Sequence, residues 1–236
     1  MSATSSRASS LTSRFSTDGP LERGRSQSSQ DQRNTRRSAV RRNRFAKIER
    51  RPCVVVASGP SLTADDVNYC RGRAAVIVVN DNYKLAPWAD VLYAADGDWW
   101  DLHEGARAFD GLRVTQDAGA ARRWRLHFVE SIDRPGFSLE RGVIHRGDNS
   151  GFQALNLAIL ASCSPIVLLG FDMKMSGSRR HWFGDHPGAL NKSSPYSIFA
   201  SAFNEAAQRH PEFEIYNATR ETALERFPRV ALRDAI

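Results

Sequence analysis

The chain has 236 residues and a net charge of +7, with 33 Lys+Arg against 26 Asp+Glu, a balance that taken whole suggests a polyanionic partner. The charge is uneven: residues 1–51 hold 13 of the basic residues and four acids, a net +9, and the rest of the chain carries −2. No apolar run approaches the ~20 residues of a membrane span, and Cys53, Cys70 and Cys163 form no C-x-x-C pair, which excludes a zinc ribbon or a disulfide scaffold and points to reduced thiols in the cytoplasm.

Residues 1–51 are dominated by Ser, Arg, Gln, Asn and Thr, and their few large apolar residues (Leu11, Phe15, Leu21, Val40) show no periodicity. Such a segment buries too little surface to offset its ordering entropy and reads as a disordered basic tail. Three uses fit it: an arm for weak polyanion binding, a transit peptide, or a solvated extension with no dedicated role. No apolar stretch of ~7–15 residues follows its basic residues, so a secretory leader is not expected.

From Pro52 the texture changes to short apolar runs alternating with helical patterns, the mark of βα units around a mostly parallel sheet. Residues 52–236 therefore read as one Rossmann-like α/β domain with helices flanking the sheet. Strands are expected at 53–57, 74–79, 91–94, 112–115, 126–129, 166–169 and 214–216, with a short extra one at 143–145. Helices are expected at 64–70, 98–108, 151–162, 195–209 and, briefly, 221–226; Ser194 is the expected cap of the fourth and Pro195 its first residue.

Five places after strands hold chemistry-bearing residues. The first strand runs into Ser58-Gly59-Pro60-Ser61, a small-residue turn before a helix that Ser61 or Thr63 can cap. At the carboxyl end of a parallel strand such a turn offers N–H groups to an anion, or is simply a turn. It is neither G-x-G-x-x-G nor a P-loop. The second strand ends in Asn80-Asp81-Asn82, where the two amides suit a base or ribose edge, or cap a turn. Asp96 and Asp98, after the third strand, could hold Mg2+ against a diphosphate, and Asp98 serves equally as a helix cap.

The fourth place is Arg146-Gly147-Asp148-Asn149-Ser150-Gly151, opening a helix whose apolar stripe is Phe152, Leu155 and Ile159. Its start presents Asn149, Ser150 and the Gly151 N–H to a phosphate, or to plain capping. The fifth is Gly170-Phe171-Asp172, with Asp172 past a buried strand, followed by a loop holding His181, Asp185 and His186. That H-x3-D-H group resembles a metal set, though it has no helical register. A titratable His there suits general acid–base work, or has no task.

In order, V-V-V-A-S-G-P-S-L at 54–62, Asn80, N-S-G at 149–151 and L-L-G-F-D-M at 168–173 resemble the bacterial sialyltransferase family, which uses CMP-activated sialic acid. They resemble equally the related MptE-like group, typified by archaeal 6-hydroxymethylpterin diphosphokinase and shared by phage-encoded members. The likeness spans about 53–232. It implies Ser58, Gly59 and Ser61 around a nucleotide, Asn80 at the ribose–phosphate, Ser150 and Gly151 at the base or its phosphate, and His186 or His181 as general base. Two departures stand out. Ala57-Ser58 replace the family's Gly-Asn, removing an amide, and 173–188 lacks the tyrosines that neutralise the departing phosphate, where Arg179 and Arg180 are the available substitutes. The expected function is a nucleotide-dependent transferase, foremost a glycosyltransferase taking a nucleotide-sugar. The alternatives are a magnesium-dependent diphosphokinase using Asp96 and Asp98, and a non-enzymatic nucleotide- or nucleic-acid-binding module anchored by the tail.

Overall fold

A computed structural model describes residues 47–191 and 194–236. Its frame is a seven-stranded, wholly parallel sheet: β1 (Cys53–Val56), β2 (Ala75–Val79), β3 (Val91–Tyr93), β4 (Leu112–Thr115), β5 (His127–Phe128), β8 (Ile166–Leu169) and β9 (Ile215–Asn217). The spatial order is β5-β4-β3-β2-β1-β8-β9, so the chain walks outward from β1 to one edge and then returns to build the other side from β8. A separate two-stranded parallel pair joins β6 (Glu130–Ile132) to β7 (Val143–His145).

The sheet is covered on both faces, which is why its strands read as unbroken apolar runs rather than as alternations. Val54, Val56, Val76, Val78 and Leu92 face a layer built from α1 (Ala64–Tyr69), α2 (Gly97–Leu102) and α3 (Ala118–Trp124), with Val67, Trp99, Trp100, Ala120 and Ala121 in the contact. Val55, Ile77, Tyr93 and Leu168 face α4 (Ser150–Leu160) and α5 (Tyr196–Arg209), which supply Phe152, Leu155, Phe203 and Ala206. A short α6 (Leu232–Ala235) ends the chain. No helix among the described residues is long and apolar enough to cross a membrane.

Most expected elements are present, and the exceptions have physical causes. The expected helix 98–108 stops at Leu102, because Glu104, Gly105 and Ala106 all take positive φ and Trp124 packs against Gly105. Helix α3 and strand β6 were not foreseen. The Ala-Gly-Ala-Ala-Arg-Arg sequence of α3 has no apolar stripe, and its one sequence signal is Asp117, which accepts the Ala120 N–H at 2.7 Å. The expected helix 221–226 does not form. Ala223 N–H donates to the Asp172 carbonyl at 2.8 Å and Thr222 Oγ1 to the Phe171 carbonyl at 2.7 Å, so bonds to a distant segment replace local ones. Pro195, not Ser194, is the cap of α5. Within the expected tail, 1–46 and its polyanion-binding arm lie outside the described residues. Residues 47–51 instead pack on the domain: Ile48 is fully buried and Arg50 N–H bonds the Ala161 carbonyl at 3.2 Å.

Helix α4 is buried almost end to end, so its polar residues must be bonded within the protein. Asn156, with no exposed surface, accepts the Ser138 and His145 N–H groups and donates to the Ser138 carbonyl, all at 2.9 Å. Gln153 accepts the Tyr93 hydroxyl at 2.8 Å. Asn156 therefore fastens the β6–β7 pair to the central helix. Asn156→Ala leaves two N–H donors and a carbonyl stranded, so urea unfolding should show a loss of about 2–4 kcal/mol; a change below about 1 kcal/mol would mean that water reaches these groups.

Candidate functional site

Where the strand order reverses, the turns after β1 and β8 diverge, and the crevice between them is the place where open parallel sheets take ligands. A cavity of about 530 Å3 opens there. The two turns are first locked to each other. Ala57 N–H donates to the Leu169 carbonyl and Gly59 N–H to the Gly170 carbonyl, each at 2.8 Å. The buried Asp172 carboxylate faces the Ser61 N–H at 3.3 and 3.4 Å. A Cβ on Gly59 would fall 1.6 Å from Asp172 Oδ1, so glycine is the residue that this closure admits.

That closure changes the role expected of the first turn. The Gly59 and Ser61 N–H groups, which an anion would need, are already committed to the turn after β8. Ser58, Gly59 and Pro60 line the cavity, and Ser61 stands behind it as a brace. Asp172 also lines the cavity, and burial pushes its carboxyl up from the usual carboxylate range while the Ser61 bond pulls it back.

The anion-favouring element is instead the start of α4. Asn149 caps the helix: its side chain accepts the Phe152 N–H and its carbonyl accepts the Gln153 N–H, both at 3.1 Å. The N–H groups of Ser150 and Gly151 have no partner among the described residues, and both residues line the cavity. The positive end of the helix adds ~0.3–1 kcal/mol for an anion there, more where water is excluded. Gly151 has a packing reason as well as a binding one, since a Cβ would meet the Phe171 ring at 2.9 Å.

Three of the eight described non-glycine residues with positive φ line this cavity: Asn80, Asp148 and Met173, at 51°, 48° and 48°. Asn and Asp tolerate this conformation and Met does not, so the surroundings must hold Met173 in it at a cost of order 1–3 kcal/mol.

The loop after β8 covers the cavity from the other side. Its anchor is Trp182, whose N–H donates to the Ser58 carbonyl at 3.1 Å and whose indole Nε1 donates to Asn82 Oδ1 at 2.7 Å. Asn82 is fully buried and also donates to the Val56 carbonyl at 2.9 Å. Expected as a ligand contact, Asn82 is thus the post that holds the loop. His181 and His186 both line the cavity, with ring centroids 5.1 Å apart, and His181 stacks on Phe183. Burial, then the neighbouring His186 and Arg180, pushes His181 down to about 4, and burial also lowers His186, so both rings are neutral at pH 7. A neutral imidazole is the form that accepts a proton.

Asp96 lies at the cavity edge; Asp98 is exposed in the first turn of α2 and outside the lining, so the pair does not converge. Among the described residues no group of three or more His, Cys, Asp or Glu side chains forms a metal cluster. Sequence reasoning missed Tyr196 and Phe199, which α5 brings into the lining from beyond the loop; Tyr196 donates to the Arg180 carbonyl at 3.3 Å. It also missed Asp81, buried behind His186. The only sequence signal for Asp81 was its place inside Asn-Asp-Asn at a strand end.

Set against family models, curated proteins and solved structures, the chain matches none of them.

The histidine environment fixes a pH dependence. The unfolded chain takes up a proton on His181 near pH 6.5, and the folded one only near 4. Stability is therefore complete above pH 6.5 and falls as the pH drops from there towards 4. His181→Asn should flatten that part of a melting-temperature profile; an unchanged slope would place the titrating group elsewhere.

Proposed function

We propose that the chain is a nucleotide-dependent transferase whose cavity takes a nucleotide-activated sugar and passes the sugar to an acceptor hydroxyl. What supports this is one juxtaposition: the unpartnered N–H groups at the start of α4 and the neutral His186 ring line the same cavity, at the reversal point of a parallel sheet. The sequence resemblance, shared equally by sialyltransferase-like and MptE-like proteins, supports a nucleotide in the cavity.

In this reading the acceptor O–H gives its proton to His186 as its oxygen bonds the sugar carbon. The bond from that carbon to the nucleotide phosphate breaks, and the electron pair leaves on the phosphate. Ser150 and Gly151 N–H groups are placed to stabilise that anion. Lys174 and Arg180 supply positive charge from the loop after β8, and Tyr196 a hydroxyl, where the family pattern has tyrosines in the loop itself. A magnesium-dependent diphosphokinase draws support from Asp96 at the cavity edge, but its expected partner Asp98 stands outside, and the Asp172 carboxylate in the lining is engaged with the Ser61 N–H.

A thermal-shift panel of CMP, CDP, UDP, GDP and ATP, each with and without Mg2+, tests the proposal. A nucleotide at 100 times its Kd adds ~2.7 kcal/mol, or roughly 5–10 °C for a domain of this size. A metal-independent response to a nucleoside mono- or diphosphate is expected. A response confined to ATP with Mg2+ would favour the kinase, and silence would remove nucleotide binding altogether. With a responding donor in hand, His186→Ala should keep the shift and lower turnover ~10^2–10^4-fold; full turnover would exclude His186 as base.

A further inference from the structure

Asp81 is a carboxylate where burial would ordinarily forbid one. Its side chain is 6% exposed, in the 3-10 turn (Asn80–Lys84) that follows β2, behind the cavity rather than in it. Each oxygen has a donor and a histidine. Oδ1 takes the Lys84 ammonium and lies 3.6 Å from His103 Nε2. Oδ2 takes the Trp99 indole N–H at 3.0 Å and lies 3.6 Å from His186 Nδ1. Burial alone would raise its pKa, but the Lys84 and Trp99 hydrogen bonds and the His103 and Lys84 charges outweigh it and hold the carboxyl below its usual range. An ionised carboxylate is thus built into the wall behind the cavity histidine.

Its two histidines are not equivalent. His103 stacks on Trp99 at 4.1 Å and has a second partner, the Tyr83 hydroxyl, 3.0 Å from Nδ1. Among the described residues His186 makes no hydrogen bond; its Nδ1 approaches Asp81 at 3.6 Å, and its ring lines the cavity. The charged or titratable groups around it are Asp81 and Lys84 after β2, Asp96 after β3, His103 after α2, and Arg180, His181 and Asp185 in its own loop. Of these, Asp81 is the one whose carboxylate oxygen meets a ring nitrogen.

We infer that Asp81 is the positioning residue for His186: its carboxylate holds the proton on Nδ1 and so presents Nε2, unprotonated, to the acceptor hydroxyl. The inference rests on the reading of His186 as the base of a transferase. At 3.6 Å the contact is one short step longer than a hydrogen bond, a gap that catalytic pairs commonly close when the substrate arrives. The same carboxylate then faces the imidazolium formed when Nε2 takes the proton, which stabilises the charge without itself being protonated.

The test needs no substrate. Long-range 1H–15N NMR of the full-length, 15N-labelled protein at pH 7 reads which nitrogen of His186 carries the proton, with His186→Ala assigning the signal. The expected result is Nδ1–H in the wild type and a switch to a mainly Nε2–H ring in Asp81→Asn. Trp99→Phe, which takes a hydrogen bond from Asp81 but leaves the carboxylate, should keep Nδ1–H. A wild-type ring protonated on Nε2 overturns the inference even if Asp81→Asn fails to fold, and so does a folded Asp81→Asn with the ring still on Nδ1. Because ligand is absent from the experiment, a silent nucleotide panel would remove the transferase reading and leave the tautomer result standing.

Discussion

The closure between the turns after β1 and β8 is the constraint on which the rest of the structure depends. Two short hydrogen bonds and the Asp172 carboxylate hold the strand ends together at the point where the sheet changes direction. Beyond that point the two turns must separate, because one leads to α1 and the other to the covering loop. The cavity is the space that this divergence leaves. Its floor is set by these bonds, and Gly59 is small because Asp172 occupies the volume a side chain would need.

The closure also sorts the polar groups near the cavity into two kinds. Those of the β1 turn are consumed in holding the fold, so they contribute shape more than affinity. Those of the α4 start keep two N–H groups unpartnered, because Asn149 satisfies only the next two. An anion is therefore favoured on one wall of the cavity and not on the other. The covering loop supplies the remaining chemistry, and Trp182 anchors it by reaching the Ser58 carbonyl and the buried Asn82 amide at once. His181 adjoins that anchor in the chain, His186 also meets Asp81, and burial lowers the pKa of both rings.

Much of the frame was legible in the residues. The Val-rich runs at β1, β2 and β8 announce a sheet buried on both faces, and the Phe152, Leu155 and Ile159 stripe announces the helix that covers one of them. The cap of α1 was narrowed by residue type to Ser61 or Thr63, of which the structure takes Thr63, and at the start of α4 capping stood as the alternative to phosphate binding, with Asn149 the cap observed. Helix α3 was not, since Ala and Gly bury a helix face without leaving an apolar stripe. Nor was the irregular course of 221–226, where long-range hydrogen bonds to the Phe171 and Asp172 carbonyls after β8 outweigh local helix propensity.

The sequence by itself determined the fold class and the neighbourhood of the site, because strand hydrophobicity and strand-end polar residues are local properties that survive without coordinates. Only the tertiary structure decided what each of those polar residues does. Ser61, Asn82 and Asp172 look like ligand contacts along the chain, yet two of them serve as braces and Asp172 closes the turns while facing the cavity. Asp81 looks like a turn residue and stands behind the cavity histidine. The physical reason is that a hydrogen-bonding side chain takes whichever partner the folded backbone brings within about 3 Å. For Asp172 that partner is 111 residues away, and for Asn82 it is 100.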